Sequence, residues 1–416
     1  MTEQQYLTAD EAAKMLGISM PTLYSYVSRG LLRSEAADGA KRVRRYPAAD
    51  VQRLKERQQL RREPGAVVDA VLDWGMPILD SALTFIDGGR CYYRGHDSLG
   101  LAVEETPERV AALMWTGDMA DADTLFALSG AAIPLRCADL QTHLGTARIV
   151  ERFAILLPVA AAEDPSAYDL RPVQVAQTGA RILRLLTAIA TGSGSVNGSL
   201  ASALQQAWSP GNPTVADAIR ASLILSADHE LNVSSFTVRC VASAEANPYQ
   251  AVIAGLAALQ GVKHGGMCDR VEALMREVGT RDNVRGALTD RLRRGEAIPG
   301  FGHRLYPGGD PRGRLLLDLA ANAAPGSGEA LLAEQVAREA QDILGEGPTI
   351  DYGLAALSNA LKLPPGSALA LFAIGRTIGW IGHAIEQYRT DRLIRPRAQY
   401  VGRMPIGINQ NEEEQK

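Results

Sequence analysis

Apolar residues spaced three and four apart run through nearly all of the chain beyond residue 98. "PERVAALMWTG", "DAIRASLILSADHE", "PYQAVIAGLAAL", "EALLAEQVAREAQDIL" and "LALFAIGRTIGWIGHAIEQY" carry this spacing. None alternates apolar with polar as a half-buried strand does. Alanine and leucine are frequent and β-branched runs are rare, a balance that favours helices over a sheet. Amphipathic helices bury their stripes against one another, so a large all-α body is expected. A short exception precedes it. "ALTFIDGGRCYYRGHDS" holds two strand-like runs around Asp87-Gly88-Gly89 and reads as a hairpin. "TGSGSVNGS", residues 191–199, reads as a flexible loop, and the tail "NQNEEEQK" as disordered.

The 416 residues exceed one ordinary domain, and 46% hydrophobic with 22% charged residues is a globular balance. Charge is unevenly spread. Residues 1–65 carry 12 Lys/Arg against 8 Asp/Glu, whereas the remainder carries 31 against 39. A small basic module therefore precedes an acidic body, and the net charge of -4 excludes a general nucleic-acid binder. "TADE" at Thr8 to Glu11 is a capping box, Gly17 ends that helix, and Ser19 caps the next, which Gly30 stops. Helix, tight turn and helix are followed by "RSEAADGAKRVRRY", a hairpin with an Asp-Gly turn, and by a basic helix in "PAADVQRLKERQQLRR". The stretch resembles winged helix-turn-helix modules of the MerR and excisionase type over residues 1–60. The resemblance implies an outward face of Thr22, Tyr24, Ser25 and Ser28 for a DNA major groove, with Lys41, Arg42, Arg44 and Arg45 on phosphates. The alternative is a packing or dimerisation appendage with a solvated charged face.

Cys91, Cys137, Cys240 and Cys268 form no C-x-x-C pair, so neither a zinc knuckle nor a disulfide framework is expected. The N-terminus has no basic start followed by an apolar stretch, and no run approaches the ~18 apolar residues of a membrane helix. A cytoplasmic protein without membrane contact is expected.

Three histidines stand in polar or glycine-bounded settings: His229 in "SADHELNVSS", His264 in "GVKHGGMCD" and His303 in "PGFGHRLY". Glycine lets the chain turn sharply and lets a ligand approach the backbone. Asp351 stands in "GPTIDYGLA", and arginines recur at Arg304, Arg312, Arg376, Arg395 and Arg397. A carboxylate beside two imidazoles can take a proton from carbon, and guanidinium forks bind carboxylates. The set suits proton abstraction on one substrate while arginines hold a second, anionic one. Three histidines also suit a metal, but their spacing matches no compact ligand motif and no cysteine joins them, so no metal is expected. His383 reads as structural, and His96 and His143 as poor candidates.

"ADHELNVSSFTVR", "KHGG", "PGFGHRLYPGGDPR", "IDYG", "FAIGRTIGWIGHAIEQ" and "RPRAQYVG" follow one another in the order found in citrate synthases, and residues 66–404 resemble that family. The resemblance implies its fold. A linker at 61–66 leads to a large helical domain (67–266), a smaller domain that closes over the substrates (267–365), the return of the large domain (366–405) and a disordered tail (406–416). It implies that Asp351 deprotonates the methyl of acetyl-CoA, that His264 stabilises the enol and that His303 polarises and protonates the oxaloacetate carbonyl. His229, Arg312, Arg376 and Arg395 would hold oxaloacetate, with Arg395 completing the site of a partner in a homodimer. No cofactor would be bound permanently, since acetyl-CoA is a co-substrate.

Two positions depart from the family pattern. Met267-Cys268 replaces the usual Ala-Asn after "HGG", and Pro307 stands where a basic residue often follows "HRxY". Three readings stay open: a citrate synthase, a 2-methylcitrate synthase acting on propionyl-CoA, and a DNA-binding regulator whose body senses oxaloacetate or citrate.

Overall fold

The computed structural model describes residues 6–28, 32–36, 44–48, 50–51, 79–127, 133–398 and 400–403. The chain forms two compact units, Met1–Asp80 and Ser81–Lys416.

In the first unit, Thr8 caps the helix Ala9–Leu16 and Glu11 reaches back to the Thr8 amide at 2.8 Å. Gly17 closes that helix in the left-handed region, at φ 62°. The second helix, Met20–Ser28, starts with the Thr22 amide on the Ser19 hydroxyl. Strands β1 (Tyr6–Leu7), β2 (Glu35–Ala36) and β3 (Arg44–Pro47) form an antiparallel sheet in the order β1-β3-β2. Ala12, Ala13, Leu16, Leu23, Leu32, Tyr46 and Val51 make its core. The expected Asp-Gly turn with Lys41 and Arg42, the Gly30 stop, the basic third helix beyond Val51 and the linker fall outside the described residues, as do the Ser28 side chain and the tail. Tyr24 is exposed, while the Thr22 hydroxyl is shared with Ser19 at 2.8 Å. Arg44 bonds Ser34, and the Arg45 guanidinium lies over the Tyr6 ring beside Glu35.

The second unit opens with the expected hairpin, β4 (Thr84–Asp87) against β5 (Arg90–Tyr93), to which β6 (His96–Asp97) adds a third strand. Helices make up nearly all the rest. At their centre lies Ser367–Thr390, buried along almost its whole length. By length and composition this helix could cross a membrane, which corrects the expectation that no run comes near that length. Its most apolar window is wholly buried, so other helices satisfy a stripe that goes all the way round. The segment 191–199 is tied down: the carbonyl of Val196 accepts from Arg184 and that of Gly194 from the Ile133 amide.

Small residues set how closely the elements approach. A Cβ at Gly375 would lie 2.4 Å from the Leu223 carbonyl oxygen, and one at Gly379 would lie 2.3 Å from that of Ala227. The stretch leading to His229 therefore rests directly on the backbone of the central helix. Gly313 and Gly353 do the same for the helices Pro311–Ala323 and Ile350–Ala360, with a Gly313 Cβ 2.4 Å from the Thr349 oxygen. These two crossings bring four separate sequence segments to one place.

Candidate active site

Arg312 and Asp351 meet because their helices start side by side. Asp310 caps Pro311–Ala323 through the Arg312 amide at 3.0 Å. The same carboxylate grips the Arg312 guanidinium and accepts from the Ile350 amide at 3.3 Å, at the start of the Asp351 helix. Burial and the Asp310 carboxylate act in opposite directions on Arg312, and the net effect holds its pKa well above the ordinary value. Arg376 comes from the central helix, donates Nε to the Ser226 carbonyl at 2.7 Å and lies over the Phe372 ring. Both arginines are buried, and Nη1 of each has no partner among the described residues. Buried donors of this kind need an acceptor, and a carboxylate supplies one.

The histidines gather around them. The His229 and His303 rings stand edge to face, 5.1 Å apart between centroids. Tyr306 lies beside both and bonds His229 Nε2 at 3.0 Å. His303 follows Gly302, whose φ of 77° suits glycine and whose Cβ would fall 2.3 Å from a Glu346 carboxylate oxygen. His303 Nδ1 accepts from the Leu305 amide at 3.2 Å, which leaves the hydrogen of a neutral ring on Nε2. His264 ends the tight turn before the helix Met267–Val278, and its Nε2 is 2.8 Å from the Ser234 hydroxyl. Trp380 donates to that hydroxyl from the central helix at 3.1 Å.

The electrostatics follow from burial. It pushes His264 down to about 3, helped by the Arg376 charge. It also lowers His303, with Arg312 assisting, and lowers His229 strongly, with Arg312, His303, Arg376 and His264 adding to the effect. All three rings are neutral near pH 7. Asp351 goes the other way: burial pushes it up to about 7, although Cys268 and Arg312 favour its charged form. His264, His303 and Asp351 keep some accessible surface while His229, Arg312 and Arg376 are buried.

Of the residues singled out by sequence, His229, His303, Arg312 and Arg376 are linked directly by contact or charge, His264 through Arg376, and Asp351 through Arg312 and Arg376. Arg395 is not among them; it lies exposed in the segment after the central helix. His383 is wholly buried and bonds Asp228 at 3.2 Å, and His96 and His143 are exposed. Sequence reasoning passed over Asp228, Tyr306 and Ser234 and gave Cys268 no role in the site. Asp228 is fully buried and accepts from Thr84, Ser235 and His383, which anchors the backbone next to His229; burial would raise its pKa, but His383 and Arg376 outweigh that and lower it. Tyr306 and Ser234 support the imidazoles, and Cys268 reaches Asp351 at 3.6 Å. All four lie inside stretches quoted above; apart from Ser235, the partners just named lie 30 to 155 positions away and gave no local signal.

The family model described as "Citrate synthase, C-terminal domain" matches residues 71–397. The chain belongs to the citrate synthase family. A helix-turn-helix domain model matches residues 6–59. "Citrate synthase 2" of Bacillus subtilis is 35% identical over 194 residues, a match spanning 46% of this chain and 52% of that protein. The match to the citrate synthase of Haloferax volcanii is 28% identical and spans 82% of this chain and 97% of the other. Among solved structures, citrate synthase from Thermotoga maritima superposes with a TM-score of 0.68 at 25% identity, covering 82% of this chain and 98% of that one. Citrate synthase from Thermoplasma acidophilum, solved as a ternary complex with carboxymethyl coenzyme A and oxaloacetate, shares the fold at a TM-score of 0.70 and 24% identity, over 79% and 95% of the two chains. The all-α expectation for the body and the small helix-turn-helix unit ahead of it both hold.

Proposed function

We propose that the chain condenses acetyl-CoA with oxaloacetate and hydrolyses the resulting citryl thioester to citrate and CoA. One observation carries the reading: a carboxyl group with a pKa near neutrality shares a cluster with three neutral imidazoles and two buried arginines, each with an unpartnered nitrogen. Arg312 and Arg376 hold the oxaloacetate carboxylates through those nitrogens, with His229 alongside. Asp351 takes a proton from the acyl methyl, and a base with a pKa near the working pH is well matched to that task. The Ser234 hydroxyl donates to Asn232 Oδ1 at 2.7 Å and stands 2.8 Å from His264 Nε2. His264 stabilises the enol as charge develops on the thioester oxygen. His303 Nε2–H polarises the ketone of oxaloacetate and protonates its oxygen as the carbon–carbon bond forms. Residues 267–365 close over the substrates and keep water out until the bond is made.

The test is thiol release from acetyl-CoA with and without oxaloacetate, run beside Asp351→Asn. The wild type releases CoA only with oxaloacetate, and the variant loses nearly all of it. No release from folded wild type would defeat the reading. Propionyl-CoA runs in parallel, because one methylene changes selectivity by only about 1–3 kcal/mol; faster turnover with it would make the protein a 2-methylcitrate synthase.

The helix-turn-helix match and the exposed Tyr24 favour a second activity, binding of duplex DNA through residues 1–60. A gel-shift titration should show binding that weakens steeply with salt and that Tyr24→Ala with Arg44→Ala impairs. Unchanged binding by that double variant would exclude this surface.

A further inference from the structure

We propose that Cys268 is a positioning residue for Asp351: its S–H donates to one carboxylate oxygen and so fixes which way the other oxygen faces. The inference rests on the reading of Asp351 as the base. Sγ lies 3.6 Å from Asp351 Oδ1, and Cys268 is wholly buried. Burial, reinforced by the nearby Asp351, Glu272 and Asp269 carboxylates, keeps the thiol protonated, so it is a donor at every working pH.

The surroundings leave few other ways to orient the carboxylate. The Asp351 backbone amide lies close, and among the described residues Arg312 and Asp310 at the start of the neighbouring helix and Arg376 from the central one act on the group by charge. Two of the Arg312 nitrogens are already committed to Asp310. A guanidinium or ammonium bonded to Asp351 would stabilise its charge and weaken it as a base. A thiol is a weak donor that sets direction at small cost in basicity. The turn also couples two roles. The Met267 amide bonds the His264 carbonyl at 2.9 Å and the Cys268 amide bonds that of Gly265 at 3.1 Å. One short backbone turn therefore carries both the imidazole for the thioester oxygen and the thiol that aims the base.

The experiment compares full-length wild type, Cys268→Ala, Cys268→Ser and Asp351→Asn. The infrared S–H stretching band, assigned by its loss in Cys268→Ala, should shift with pH around a midpoint near 7 in the wild type, where Asp351 titrates. In Asp351→Asn it should not respond to pH. The acidic limb of kcat/KM should move up by about half a unit to one unit in Cys268→Ala and return towards the wild type in Cys268→Ser. A wild-type S–H band that ignores pH, or a limb that Cys268→Ala leaves in place, would overturn the inference. Should Cys268→Ala fail to fold, the band assigned from Cys268→Ser and read in wild type and Asp351→Asn still decides. Absence of oxaloacetate-dependent release from the wild type is a different failure, that of the functional reading.

Discussion

The Asp310 carboxylate holds the Arg312 guanidinium by two parallel hydrogen bonds, Oδ1 to Nε at 3.0 Å and Oδ2 to Nη2 at 2.8 Å, with both side chains buried. Asp310 also caps the helix that begins beside it and bonds the start of the Asp351 helix. One residue thus aims the anion-binding group and sets the base next to it. Asp310→Ala should destabilise the protein by about 3–5 kcal/mol, the usual effect of leaving a buried charge unpaired, with the lost cap adding about 1 kcal/mol. Asp310→Asn keeps a cap and one acceptor, so it should fold better and raise KM for oxaloacetate more than it lowers kcat. Urea unfolding and steady-state kinetics on the pair separate the two roles; equal stability of Asp310→Ala and wild type would refute the first.

The shifted groups give stability an unusual dependence on pH. Asp351 has a folded pKa of about 7, above its ordinary value. As pH rises between those two values the unfolded chain ionises while the folded one keeps its proton, so folding loses stability over that window. His264 is pushed down to about 3, so the unfolded chain gains a proton first and stability falls as pH drops from about 6.5 towards 3. Each pKa unit is worth about 1.4 kcal/mol. Asp351→Asn should therefore gain on the wild type by a few kcal/mol between about pH 4 and pH 7 and stay level above that. His264→Gln should gain in the opposite direction, as pH falls below 6.5. Denaturant titrations at several pH values check both, and a gap between Asp351→Asn and wild type that does not change with pH would contradict the first.

Much of this was written locally in the chain. The helices follow from apolar spacing, and the capping box at Thr8 and the Asp87-Gly88-Gly89 hairpin from short-range rules. The motif order placed His229, His264, His303, Arg312, Asp351 and Arg376 in one family site, and the fold gathers them. What the sequence hid is how they are supported. The Ser234 hydroxyl meets both His264 and Trp380, 30 and 146 positions on. Cys268 stands out in the sequence only as a departure from the family pattern; its partner Asp351 lies 83 positions on. The sequence did not show that the central helix is buried on all sides, because glycines, Arg376 and His383 interrupt its apolar run; in the fold the glycines are where other segments press in.

Arg395 is exposed beyond the central helix and outside the cluster of its own chain. If it completes a partner's site, two inactive variants should rescue one another. In a mixed dimer of Asp351→Asn and Arg395→Ala, one site carries both defects and the other carries neither. Random pairing makes half the dimers mixed, so about a quarter of wild-type activity should return on co-refolding or co-expression. Each variant alone stays near zero. No recovery in a sample shown by sedimentation to contain dimers would mean that Arg395 acts in its own chain or not at all.

Gly379 tests whether the close crossing under the site is needed for function as well as folding. Its amide donates to the Ala227 carbonyl at 3.0 Å, and an added Cβ would meet that oxygen at 2.3 Å and Asp228 Oδ1 at 2.7 Å. Backbone cannot yield as a flexible side chain can, so the whole segment carrying Asp228 and His229 must lift away from the helix. Gly379→Ala should cost about 1–3 kcal/mol from overpacking and should also raise KM for oxaloacetate, since Arg376 and His229 lose their relative placement. Gly382→Ala is the control: its Cβ would meet only Leu83 side-chain atoms, the nearest at 3.1 Å, which can turn aside. Thermal unfolding and kinetics on both variants check the contrast, and a Gly379→Ala protein with wild-type KM would show that the site tolerates a shift of this segment.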